Sequence, residues 1–440
     1  MNHQEEERDD MNILFRNAKV IPMTDDSSEH LIWFIAHVAV SGDTIVGVGD
    51  LPEGFLPDET IDAKDHILMP GLVNCHTHLA MSLFRGMAED MTLMSWLQDV
   101  IWPAEAKHTD ETIRIANEMA LAEMIRSGTT SFLDMYFKQE ILGELLIKTK
   151  MRGVLSRAVL SVENKTRQNL DENIALKGRF ADHSRGLISV FVSAHAPYTV
   201  NDDDMRMVRD AALEHDMGLN IHISETNEEL MNYKERYHKT PVAYLRDLGL
   251  FQAHTLAAHC VHITDDDINI LYENDVCVSH NPTANLKLAS GIAPLKKMLE
   301  KGITVGLGTD GVANNNNMSL FHEMRLAALL QKGIHGDATA IPVKQVLSMA
   351  TVQGAKALKL QKIGQIAVGN RADLILIDSK QIHMKPGLYP PTDVVYAAGS
   401  QDVTHTMVNG EFLMKDRRLC TIDEEQLIAR AHKAASIFYP

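Results

Sequence analysis

Lysine and arginine are in short supply. The chain has 42 of them against 59 aspartates and glutamates, a formal net charge of −17. Phosphate backbones are held by clustered lysine and arginine, so nucleic acid is excluded as a partner, although a small ligand carrying one adenine is not. Cysteine is scarce as well. Cys75, Cys260, Cys277 and Cys420 are scattered and form no Cys-x-x-Cys, which excludes a disulfide framework and fits a reducing cytoplasm. No apolar run reaches the roughly 18 residues of a membrane-spanning helix. The first ten residues, MNHQEEERDD, lack an apolar signal core and read as a frayed polar tail. What remains, 45% hydrophobic and 23% charged over 440 residues, is the composition of a soluble globular enzyme with one large domain or two to three average ones.

The most informative stretch is Met69-Pro-Gly-Leu-Val-Asn-Cys-His-Thr-His78. It reads as a short buried strand entered through a Pro-Gly turn. Residues i and i+2 of a strand face the same way, so His76 and His78 project together from its end. Imidazole is the commonest protein metal ligand, and a His-x-His pair at a strand end suits one.

Residues 11 to about 68 read as short strands and turns, and so does the chain beyond about 364, including Val403 to Phe412 around an Asn409-Gly410 hairpin turn. Between them, apolar runs alternate with longer helical patterns. The runs cover 68–75, 129–135, 153–160, 188–194, 219–223, 255–259, 276–279 and 303–307. Eight β-then-α units over roughly 300 residues predict a (β/α)8 TIM barrel, with a doubly wound open sheet as the rival. The expected domains are a barrel at 68–365 and a small β-sandwich built from both termini, 11–67 and 366–440. A last helix is expected from Asp423 to Phe438.

Barrel active sites lie at the C-terminal ends of the strands. There the runs deliver His76 and His78, then His195, His222 followed by Glu225, His259, His280 and Asp310. Singly, each histidine is a packed side chain. Jointly they are hard to explain by packing, because every buried imidazole needs a partner. His76, His78, His222 and Asp310 would give three nitrogens and a carboxylate oxygen, which with a water suit catalytic Zn2+ or a similar divalent ion. Such an ion brings the pKa of its water to about 7. Glu225, just beyond the strand, is placed to shuttle a proton. Strand four ends without a lysine, so one metal is expected.

Three motif matches fail. Gly306-Leu-Gly308-Thr-Asp-Gly311 satisfies G-x-G-x-x-G, but four asparagines follow where a helix should open, and the aspartate would repel a pyrophosphate. His322-Glu323 begins H-E-x-x-H, yet position 326 is Leu. No H-x-E with P-C-x-x-C is present, which excludes the cytidine-deaminase type of zinc site.

Pro70-Gly-Leu-Val-Asn-Cys-His-Thr-His78, His222-Ile-Ser-Glu-Thr226, Ala257-Ala-His-Cys-Val-His262, Ser279-His-Asn-Pro282 and Gly308-Thr-Asp-Gly311 resemble the amidohydrolase superfamily. Leu83-Phe-Arg-Gly-Met-Ala-Glu-Asp90, Trp96-Leu97, Asp134-Met-Tyr-Phe137, His195-Ala-Pro-Tyr198 and Asn285-Leu-Lys-Leu288 resemble its 5-methylthioadenosine/S-adenosylhomocysteine deaminase branch, which is related to the triazine hydrolases. The resemblance implies the same metal ligands, His76, His78, His222 and Asp310. It implies that Glu225 protonates a purine ring nitrogen, that His259 hydrogen-bonds the attacking water, and that Asp310 takes its proton before ammonia leaves. It also places Glu105, Arg157 and His195 on the substrate, Glu105 accepting from the ribose hydroxyls and Arg157 holding an anionic tail. Trp96 is expected either over the pocket or in the core. Relatives that take S-adenosylhomocysteine can carry a second arginine after strand three, where this chain offers Arg167 or Asn169. Position 314 is Asn where relatives often have Ser. The implied activity is deamination of adenosine-type nucleosides by a cytoplasmic homo-oligomer. The alternatives are an aminohydrolase for another heterocycle, such as guanine or an s-triazine, and a catalytically silent barrel.

Overall fold

The structure is a computed structural model that describes residues 11–24, 33–181 and 184–439. The acidic segment 1–10 lies outside the described residues. Among the described residues no helix is long and apolar enough to cross a membrane.

Eight parallel strands close into a barrel: Leu72–Thr77, Thr129–Tyr136, Arg152–Val159, Ile188–Ala194, Gly218–Ile223, Thr255–His259, Cys277–His280 and Val305–Leu307. Each pairs with its neighbour in sequence, and the eighth returns to the first through Leu307 and Asn74. Nearly every strand residue is buried. Parallel strands covered by helices on the outside and side chains on the inside read as unbroken apolar runs, which is how these runs read. Closure removes both sheet edges, so the doubly wound alternative is wrong.

The first expected strand, 68–75, is two strands. His66–Pro70 belongs to the terminal sheet, where it pairs antiparallel with Leu374–Asp378, and only Leu72–Thr77 enters the barrel. The chain changes sheets at Gly71, where a Cβ would stand 2.1 Å from the Thr130 side chain. An apolar run says that a segment is buried, not in which sheet.

The terminal sheet has nine strands drawn from residues 12–70 and 374–419. Phe15, Val38, Leu68 and Leu376 share its own apolar core. The expected hairpin is present: Val403–Val408 and Glu411–Lys415 are joined by Asn409 and Gly410, with φ of 48° and 72°, the two left-handed residues that a tight hairpin turn requires. The stretch 364–373, expected as strand, runs instead as turns broken by Gly364 and Gly369, with φ of 85° and 89°. The last helix is Glu424–Ala435, capped by the Asp423 carboxylate. Barrel and sheet are joined by a buried fork. Arg152, at the start of the third barrel strand, donates through Nε and Nη2 to Asp373 at 2.8 and 3.1 Å, and Asp373 also accepts the Asn409 N–H at 2.9 Å.

Candidate metal centre and active site

The rim residues converge because the barrel brings its first and eighth strand ends together. Asn74 and Thr309 clamp the two strands: Asn74 Nδ2 donates to Thr309 Oγ1 at 2.8 Å, and the Thr309 N–H donates to Asn74 Oδ1 at 3.0 Å. The next residue, Asp310, adopts φ of 63° and donates its N–H to the His76 carbonyl at 2.9 Å. A non-glycine residue in the left-handed region is held there by its surroundings. The turn aims the Asp310 carboxylate at the His-x-His pair, with Oδ1 3.5 Å from His76 Nε2 and 3.2 Å from His78 Nε2. The glycines of the rejected dinucleotide motif serve this packing. A Cβ on Gly308 would lie 2.4 Å from Asn281 Oδ1 and 2.6 Å from Ser279 Oγ.

The donor set fits a divalent cation. His76, His78 and Asp310 offer ligand atoms within 4.8 Å of one another, and so do His76, His222 and His259. His78 Nδ1 donates to the Met135 carbonyl at 2.7 Å and His222 Nδ1 to the His195 carbonyl at 2.5 Å. That arrangement is the usual way of orienting a metal-binding imidazole and leaves Nε2 for the ion. Both ring nitrogens of His76 are buried without a hydrogen-bond partner, an arrangement disfavoured unless a cation uses one of them.

Burial pushes His76 down to about 4 and His222 well below the usual imidazole range, so both are neutral near pH 7, the form that binds metal. Burial would lower His78 too, but its hydrogen bond to Asp310 wins and raises it to about 9. Burial alone would raise Asp310, whereas the His76 and His78 imidazoles beside it hold it well below the carboxylate range. In the metal-free protein a proton on His78 thus partly offsets the carboxylate.

Glu225 and His259 complete the polar floor. Glu225 is 5% exposed, and burial raises its pKa, so it holds a proton more readily than a surface glutamate. Ser290 Oγ donates to Glu225 Oε1 at 3.3 Å. His259, with φ of 75°, stands between two carboxylates, its Nε2 3.8 Å from Glu225 Oε2 and 3.7 Å from Asp310 Oδ2. Its Nδ1 is fixed by Asn285 Oδ1 at 2.8 Å. Asn314 Nδ2 donates to Asp310 Oδ2 at 2.9 Å.

These groups open into a cavity of about 660 Å³. Glu105, Trp96, His195 and Tyr198 line it together with His78 and Asp310. Burial pushes Glu105 up to about 7, with the neighbouring Tyr136 hydroxyl and His78 drawing it partway back. Trp96 is 3% exposed and forms part of the cavity wall. His195 Nδ1 is tied to Thr199 Oγ1 at 2.9 Å. Arg157 does not line this cavity. It faces an adjoining groove that shares Trp102, Glu105 and Phe137, and it is held there by Glu163 and Glu172, each at 3.3 Å, and by Asn169 Oδ1 at 3.1 Å. Arg167 is exposed, and buried Asn169 takes the inner position. His280 is buried below the rim with neither ring nitrogen hydrogen-bonded.

Sequence reasoning missed the supporting residues. Ser290 lies 65 residues from Glu225 and nothing local marks it. Asp134, which accepts the Leu79 N–H at 2.7 Å just past His78, sits on the next strand within a motif the resemblance singled out, but with no role assigned to it.

The amidohydrolase family model matches residues 67–413. A protein of Desulfitobacterium hafniense (strain Y51) named 5-methylthioadenosine/S-adenosylhomocysteine deaminase is 42% identical over 426 residues, 96% of this chain and 98% of that one. A protein of Methanosarcina mazei named 5'-deoxyadenosine deaminase is 43% identical over 430 residues, 96% of this chain and 97% of its own. Among solved structures, an adenosine deaminase from Xanthomonas campestris with bound zinc superposes with a TM-score of 0.91 at 33% identity, covering 97% of this chain and 98% of that one. The atrazine chlorohydrolase of Arthrobacter aurescens shares the fold, with a TM-score of 0.88 at 22% identity over 96% of this chain and all (100%) of that one.

Proposed function

The chain belongs to the amidohydrolase family, and on that premise we propose that it is a metal-dependent aminohydrolase of adenosine-type nucleosides. It converts 5-methylthioadenosine, S-adenosylhomocysteine, 5′-deoxyadenosine or adenosine to the inosine analogue plus ammonia. The observation that carries the reading is one cavity holding both the histidine–aspartate cluster and, on its wall, the half-buried Glu105. A hydrolytic centre alone would serve guanine or an s-triazine equally well. A carboxylate on the cavity wall able to accept two hydroxyl hydrogen bonds has an evident task only when the substrate carries a ribose.

His76, His78, His222 and Asp310 would hold one Zn2+, a choice supported by the zinc in the Xanthomonas campestris structure. When bound, the ion supplies Lewis-acid activation of water near neutral pH. The chain's own residues do the rest. Glu225, whose proton affinity burial raises, donates to a ring nitrogen of the purine and makes the carbon bearing the exocyclic amine electrophilic. His259, between Glu225 and Asp310, orients the attacking water by hydrogen bonding. Asp310 Oδ2 receives the water's proton and passes it on as ammonia departs. Trp96 and the apolar wall exclude bulk water. The barrel, entered at Leu72, carries this chemistry, and the terminal sheet, His66–Pro70 included, buttresses it through the Arg152–Asp373 fork.

The test is ammonia release with loss of adenine absorbance from zinc-loaded protein. Adenosine, 5-methylthioadenosine, S-adenosylhomocysteine and 5′-deoxyadenosine are compared with guanine and melamine. Turnover of the nucleosides alone supports the reading, and turnover of free bases alone discards the ribose assignment.

A further inference from the structure

We propose that Glu229 is a positioning residue whose carboxylate fixes the backbone from which Glu225 projects. The inference rests on the nucleoside-deaminase reading for what Glu225 does, and on geometry for how Glu229 serves it.

Glu229 is the third residue of the helix Asn227–Tyr237, whose N-cap is Thr226. A glutamate at that place ordinarily turns back to the N–H of the cap residue. Here it reaches further. Oε1 accepts the Ser224 N–H and Oε2 accepts the Glu225 N–H, each at 3.0 Å. Both oxygens of one carboxylate are therefore spent on the two peptide groups that lead into Glu225. Ser224 occupies the left-handed region with φ of 52°, and this bend carries the chain from His222 to Glu225. From the other side, the Ser224 carbonyl accepts the N–H groups of Val261 and His262 at 3.0 and 2.8 Å. The bend is thus gripped by the fifth strand's own helix and by the loop following His259.

Glu229 is 5% exposed, and among the described residues no lysine or arginine pairs with it. An exposed cap would stabilise the helix without burying a carboxyl, so its burial against Glu225 calls for another purpose. A proton donor displaced by about 1 Å can lose roughly a hundredfold in rate, and a bidentate carboxylate is a stiff way to prevent that displacement.

The variant that isolates the effect is Glu229→Gln. Glutamine keeps the shape but sets an NH2 group against one of the two peptide N–H donors. Glu229→Asp keeps the charge but withdraws both oxygens. In each zinc-loaded variant kcat for the best nucleoside is expected to fall about tenfold or more, with KM within about threefold and zinc content unchanged. Hydrogen exchange of the Ser224 and Glu225 amides should accelerate while the other strand ends keep their protection. Glu225→Gln combined with Glu229→Gln should be no slower than Glu225→Gln alone, because Glu229 acts only through Glu225. The proposal is overturned if the single variants keep wild-type kcat, if their loss tracks zinc loss or a fall in Tm, if the double variant multiplies the two losses, or if the two amides exchange as in wild type. Absence of nucleoside turnover in the wild type would sink the functional reading instead, and amide exchange would still decide the role of Glu229.

Discussion

His78 Nε2 and Asp310 Oδ1 lie 3.2 Å apart and link the first barrel strand to the turn after the eighth. The pair joins two residues 232 positions apart (310 − 78), and the proton it shares stands where a cation's charge would be.

Metal uptake should therefore be coupled to one proton. His76 and His222 are already neutral and Asp310 already ionised near pH 7, whereas His78 is raised to about 9. Titration of metal-free protein with Zn2+ in buffers of differing ionisation enthalpy should show, beyond the proton given up by the ion's water, about one further proton released per ion at pH 7.5, and that further proton should disappear above pH 9. Release that does not fall between pH 7.5 and about 10 would mean that His78 gives up no proton to the ion.

Replacing Glu105 by Ala should lower kcat/KM for nucleosides roughly a hundredfold, the worth of two hydrogen bonds to a charged group. Zinc content should not change. Equal loss of activity and metal would mark Glu105 as structural.

Glu225→Gln should lower kcat by roughly 10²- to 10⁴-fold, the usual range for removing a general acid. Zinc content and Tm should stay at wild-type values, since among the described residues Glu225 receives only one side-chain hydrogen bond, from Ser290. A variant that turns over normally would remove Glu225 from the proton path.

Asn74→Ala should leave the Thr309 N–H unpaired in the interior, at about 1–3 kcal/mol. It should also weaken zinc binding, because Asp310 follows directly on Thr309. Asn74→Asp keeps the acceptor for that N–H and should recover part of the loss. Denaturant unfolding and zinc competition measure the two effects. Unchanged zinc affinity in Asn74→Ala would show that the clamp does not aim Asp310.

Acid should destabilise the metal-free protein below pH 6.5. Burial lowers His195 and His280 to about 3 and His76 to about 4. The unfolded chain takes up protons near pH 6.5 that the folded chain refuses, so the contribution is fully present above 6.5 and lost as pH falls toward 4. The slope is about 1.4 kcal/mol per pH unit for each histidine. His78 adds nothing in that window, because both states hold its proton there. Denaturation midpoints at pH 7, 6 and 5 should show a smaller acid slope for His280→Asn. An unaltered slope would mean that His280 titrates normally.

The sequence by itself determined the barrel and the identity of the rim residues. Fully buried parallel strands leave unbroken apolar runs, and polar residues at the ends of such runs stand out because burial would otherwise exclude them. Gly71 shows where this stops: hydrophobicity marks 68–75 as buried but cannot say that the chain changes sheets midway. The supports of the site were equally hidden. Asn74 meets Thr309, Glu225 meets Ser290, and Arg157 is taken up by Glu163, Glu172 and Asn169. A hydrogen bond between positions far apart in sequence has no period and no local signal. Only closure of the barrel, which brings the first and eighth strands side by side, decided which polar side chains face the cavity and which spend their charge on one another.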